Sequence, residues 1–199
     1  MLVVLASGRT AQAEVSTWRI DTENSQLLAH VYRKGALSRF AHDHHFAPEK
    51  WSGRIILDPE RPGQARVQID IAASSLQDRQ PKLSEKDVQK VDAMATGPHG
   101  VDAGRFPEIR LEADRLKVEE ETETELAGTL VGRLYLHGRN RPIEIPVRAR
   151  VSSSSIRAEG SVSFKQSEFG IEPYRSLLGT VAVQDQVVVE FRVVALPGA

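Results

Sequence analysis

From Trp18 onward, apolar and polar residues alternate along most of the chain, and a period of two is the mark of strands with one buried and one solvated face. Leu27, Ala29 and Val31 alternate with Gln26, Leu28, His30 and Tyr32. Ile55 and Leu57 follow Trp51, and Val67, Ile69 and Ile71 alternate with Arg66, Gln68 and Asp70. The pattern continues through Ile109 and Leu111, through Leu126, Leu130, Leu134 and Leu136, and through Ile143, Ile145, Val147, Ala149 and Val151. Ile156, Ala158, Val162 and Phe164 form a further set, and Val187, Val189, Phe191 and Val193 the last. The expected fold is therefore all-β, a closed antiparallel barrel of about eight strands, a number at which a sheet curls onto itself and loses its exposed edges.

One segment departs from this period. In "KLSEKDVQKVDAM", Leu83, Val88, Val91 and Met94 or Ala95 fall on one helical stripe, with Ser84 as N-cap, acids in the first turn, and Gly97 and Pro98 as the stop. One short helix is expected there. A turn containing Gly138 joins two long strands in "ELAGTLVGRLYLHGRNRPIEIPV", Pro59, Pro62 and Gly63 mark another turn, and Ser152–Ser155 form a polar hairpin approach. The acidic run Glu119, Glu120, Glu121, Glu123 and Glu125 reads as a solvated hairpin end, because adjacent strand residues point to opposite faces. Gly128 and Gly132 fall in register with inward leucines, where they either let the strand coil at a barrel corner or keep a lumen open beside Leu130 and Leu134.

With 199 residues, 40% hydrophobic and 27% charged, the chain suits a single globular domain. The net charge of -1 provides no basic footprint for nucleic acid. The absence of cysteine excludes thiol catalysis, disulfides and cysteine-held metal. No nucleophile elbow, phosphate loop, dinucleotide fingerprint or H-E-x-x-H is present, so neither an enzyme nor a cofactor is expected. The stretch "MLVVLASGRTAQAEVSTW" has a short apolar run followed by Ala11-Gln12-Ala13, which fits a signal-peptidase site. Residues 1–13 are thus expected to be a truncated signal peptide, and 14–199 the mature, exported domain.

The chemistry that stands out is "RFAHDHHFAPEKW", which holds three of the six histidines within four positions. On an extended segment His42 and His44 share a face, so two imidazoles would meet one ion, with a third ligand required from His30, His99 or His137. That arrangement would make a metal-binding protein or a metal-dependent hydrolase. The competing reading is a polar barrel mouth, in which Phe40, Phe46 and Trp51 set apolar bodies beside titratable heads and grip a ligand's polar end.

Several ordered stretches resemble the YceI-like family across nearly the whole mature chain. "WRIDTENSQLLAHV" is similar to that family's opening W-x-I-D, "WSGRIIL" to its aromatic-x-Gly strand entry, and "RVQIDIAASSL" to its strand ending in Ser-Leu. "RFPEIRLEA" resembles F-P-x-I, "GRLYLHGRNRPIEIPV" the signature G-x-L-x-L-x-G-x-x-R-P-[IV], and "FKQSEFGI" the closing [RK]-x-D-F-G-[IL]. Departures are Arg33, where members commonly carry histidine at the end of the second strand, Gln166 in place of arginine, and Glu168 in place of aspartate. The resemblance implies a lipocalin-like barrel with a helix over one side, exported to the bacterial periplasm, able to dimerise, and carrying a long apolar isoprenoid-type lipid, a polyprenyl or quinone. Carried over by position, the lumen wall comprises Leu27, Ala29, Val31, Ile55, Leu57, Val67, Ile69, Leu130, Leu134, Leu136, Ile143, Ile145, Phe164, Phe169, Val189 and Phe191.

Overall fold

The alternating segments form strands in a computed structural model of the chain, which describes residues 15–35, 42–175 and 181–198. In chain order these are β1 (Ser16–Ile20), β2 (Gln26–Lys34), β3 (His44–Pro48), β4 (Trp51–Leu57), β5 (Arg66–Ala72), β6 (Leu76–Asp78), helix α1 (Glu85–Thr96), β7 (Glu108–Glu121), β8 (Glu125–Leu136), β9 (Arg139–Val151), β10 (Ile156–Lys165) and β11 (Ala182–Pro197). The expected signal peptide, the cleavage point after Ala13 and Phe40 lie outside the described residues.

Six of the eleven segments pair off into three interrupted strands. β1 and β2 share one side of β11, with Ile20 opposite Ala195 and Gln26 opposite Arg192. The interruption has a local cause. Asp21 accepts from the backbone N–H groups of Glu23 and Asn24, while the Ser25 hydroxyl donates to Asp21 O at 2.6 Å and accepts from Val194 N at 2.9 Å. Side chains thereby take over backbone groups that a regular ladder would use. β3 and β4 likewise continue one another, β3 between β2 and β6 and β4 between β1 and β5, and so do β5 and β6. The result is a closed eight-strand antiparallel barrel in which each strand pairs with its neighbours in sequence and β11 returns to β1 and β2.

One end of the barrel is filled. Trp18, Ile20, Leu57, Ala65, Leu116, Ile156 and Ala195 belong to a buried cluster there, and the short 3-10 turn Pro62–Gln64 tucks Pro62 beneath β7. Curvature at this end comes from two bulges in β7, between Ala113 and Arg115 and between Val118 and Glu120. Gly132 pairs with Ala113 and Gly128 with Val118, beside those bulges, and a Cβ at either glycine would run into the β7 backbone. The two glycines therefore serve close approach of strands at a tight bend, and neither lines the cavity. The β8–β9 connection is the expected hairpin, with His137 and Gly138 both at positive φ, 51° and 69°, as a two-residue turn of matching twist requires.

The other end carries α1. Ser84 caps it, its side chain accepting from Asp87 N at 3.2 Å, and Glu85 and Asp87 occupy the first turn. No residue of α1 is buried. The helix packs along β6, whose outer edge has no strand partner among the described residues, and Asp92 accepts a hydrogen bond from Asp78 N at 2.7 Å. Of the expected helical stripe, Val91, Met94 and Ala95 face the barrel interior, whereas Leu83 and Val88 do not.

Candidate functional site

Between the filled end and α1 the barrel encloses a cavity of about 1100 Å³. That is slightly above the roughly 300–1,000 Å³ usual for small-molecule sites. Its walls are the inward faces of the strands. Leu27, Ala29 and Val31 come from β2, Ile55 and Leu57 from β4, and Val67 and Ile69 from β5. Leu130, Leu134 and Leu136 come from β8, Ile143 and Ile145 from β9, Phe164 from β10, and Val189 and Phe191 from β11. Phe46 of β3 also lines it.

Two sequence-expected positions sit elsewhere. Phe169 is 1% exposed and fills a separate cluster with Leu136 and Ile171, its ring edge-on to Phe164 at 5.4 Å, so it supports the wall from behind. Trp51 packs against the main buried cluster rather than lining the cavity. Of the mouth expected around the histidine cluster, His44 and Phe46 do line the cavity, while its remaining residues come from segments the sequence does not mark. Met94 and His99 come from α1 and the loop after it, and Gln166, Glu172, Tyr174 and Arg175 from the segment after β10. Apart from glycines, the lining side chains other than hydrocarbon or thioether are His44, His99, Gln166, Glu172, Tyr174 and Arg175, all at the α1 end.

The histidines divide between the two faces of the sheet. His44, in register with Val31, faces the cavity and donates from Nδ1 to Asp78 Oδ2 at 2.6 Å. The Asp78 side chain is fully buried and also accepts from the backbone N–H groups of His45 at 3.1 Å and Gln80 at 3.0 Å. Burial pushes the Asp78 carboxyl up, but the bond from His44 and the backbone donors outweigh it, so its pKa lies below the ordinary aspartate value. Asp92 goes the other way, raised chiefly by burial. A carboxylate only accepts, so the proton of a neutral His44 sits on Nδ1. On the outer face His45 pairs with His30, their Nδ1 atoms 2.7 Å apart, so one ring donates and the other accepts.

His42 is exposed ahead of β3. Among the described residues no three His, Asp or Glu side chains are grouped as a metal ion requires, so no third ligand joins His42 and His44. His137, one of the candidate third ligands, instead makes a hydrogen bond to Phe169 O at 3.1 Å and packs its ring edge-on to Phe106.

Residues 10–195 match the sequence profile of the YceI-like domain. No curated protein matches the chain in sequence. Among solved structures the fold is similar to that of BcnA from Burkholderia cenocepacia, with a TM-score of 0.66 and 19% identity over 88% of this chain and 98% of that one. It is also similar to a polyisoprenoid binding domain from Saccharophagus degradans implicated in plant cell wall breakdown, with a TM-score of 0.63 and 14% identity over 93% and 100% of the two chains. The YCEI protein of Campylobacter jejuni matches with a TM-score of 0.57 and 14% identity over 77% and 84%.

Proposed function

The chain belongs to the YceI-like family, and from that membership we propose that it is a non-enzymatic carrier that holds an isoprenoid-type lipid in its barrel lumen. The observation that carries this reading is the cavity: about 1100 Å³, walled by hydrocarbon side chains, with polar groups gathered at one end. Such a space suits a ligand with a long apolar tail and one polar terminus. Each Å² of tail removed from water contributes about 25 cal/mol, offset by the entropy of ordering a flexible chain. The name of the Saccharophagus domain supports the isoprenoid class.

Export to the bacterial periplasm is part of the proposal, supported by the Ala11-Gln12-Ala13 triplet. Native mass spectrometry of gently purified protein tests the carrier reading. A bound mass that organic extraction removes, with fragments spaced by isoprene units, supports it. Protein at its bare chain mass under every gentle preparation contradicts it.

A further inference from the structure

We propose that His44 is the head-group contact of the lumen, and that the ligand it selects is a long apolar chain ending in a hydroxyl, alcohol or phenol, which donates its proton to His44 Nε2. This rests on the lipid-carrier reading and adds to it the chemistry of the ligand's polar end.

Four observations converge on an acceptor at this position. First, the His44 ring is part of the cavity wall, next to Phe46 at 6.1 Å between centroids and opposite Val31 across the ladder. Secondly, its orientation is fixed: Nδ1 is held at 2.6 Å by a carboxylate that is itself wholly buried and tied by two backbone donors. Thirdly, His44 Nε2 has no hydrogen-bond partner among the described residues, and in the neutral ring, whose proton sits on Nδ1, it presents a lone pair. Fourthly, Gln166 at the same mouth turns its amide nitrogen toward Gln184 O, 2.8 Å away, which leaves its Oε1 as a second acceptor.

The ligand classes separate on this geometry. A hydroxyl supplies the proton that Nε2 lacks. An ether or ketone end offers only another lone pair and leaves Nε2 unsatisfied once the tail has displaced water. A phosphate meets that lone pair with the Asp78 carboxylate behind it and Glu172 at the rim; Arg175 and His99 are the lining groups of opposite tendency, and both belong to loops flanking the opening.

The test uses the full chain after organic extraction and measures displacement of an apolar fluorescent probe, N-phenylnaphthylamine, by geranylgeraniol, its methyl ether and geranylgeranyl phosphate. The alcohol is expected to bind about 3- to 10-fold more tightly than the ether, the range of one hydrogen bond. His44→Leu should bring that ratio close to one. Leu134→Trp, which blocks the tail path, should weaken all three ligands together and preserve the ratio. The wild-type series stands on its own if a variant does not fold. Equal affinity for alcohol and ether, or tightest binding of the phosphate, overturns the proposal and leaves the carrier reading intact. Failure of all three ligands to displace the probe overturns the carrier reading, and the proposal with it.

Discussion

His44 Nδ1 lies 2.6 Å from the Asp78 carboxylate, one partner lining the cavity and the other fully buried. Asp78 in turn gives its backbone N–H to Asp92 of α1 at 2.7 Å. A single short chain of hydrogen bonds therefore connects the inner face of the mouth, the β3–β6 pairing and the helix that lies along it.

This connection has a pH signature. The Asp78 pKa is depressed in the folded protein, so its contribution to stability is present above the unfolded aspartate value, about 4, and is lost as pH falls through the lower folded value. Asp92 is raised, so its contribution is present in acid and lost as pH rises through its folded value, opposing Asp78 over part of the same range. Urea unfolding of wild type and Asp78→Asn between pH 6 and pH 3 should show the stability difference narrowing toward acid. A difference that stays constant or widens would mean that Asp78 is not ionised in the fold.

Leu134 lies in the cavity wall, opposite Leu111 and next to the cluster of Leu136, Phe169 and Ile171. Leu134→Trp places its added bulk in open space, so recovered lipid should drop sharply while the melting temperature of extracted protein changes little. In a filled core the same change overpacks and costs about 1 to 3 kcal/mol. A large melting loss with unchanged lipid content would show that the space is not a ligand path.

Gly132→Ala is the contrasting case. The new methyl group meets Glu112 O and the Ala113 Cα beside the first β7 bulge, where backbone rather than a movable side chain must yield. Destabilisation of about 1 to 3 kcal/mol is expected, read as a lower urea midpoint, with lipid retained by the protein that folds.

The barrel wall was legible in the sequence because a sheet with one buried face writes its inward residues at every second position. Leu27, Ala29 and Val31 or Val189 and Phe191 needed only that period and a strand count. Most of the mouth was not. Asp78 reaches His44 across 34 residues through the β3–β6 pairing, and no local pattern marks a three-residue strand. Gln166, Glu172 and Arg175 come from a segment without periodicity and reach the cavity only through the fold of the chain after β10. Phe169 was misplaced for a related reason: it follows β10 in a 3-10 turn, where strand alternation no longer says which way a ring points. Gly128 and Gly132 fitted two readings until the bulges in the partner strand chose the bend.

On the carrier reading, an apolar chain is expected to thread from the polar mouth to the barrel floor. Photocrosslinking with an isoprenoid alcohol carrying a diazirine at its tail end, followed by peptide mass spectrometry, tests this most directly. The expected adducts fall on the floor residues Leu116, Leu130 and Ile145, with His44 and Gln166 unlabelled by the tail. Labelling confined to exposed apolar positions such as Val118 and Leu196 would contradict the account.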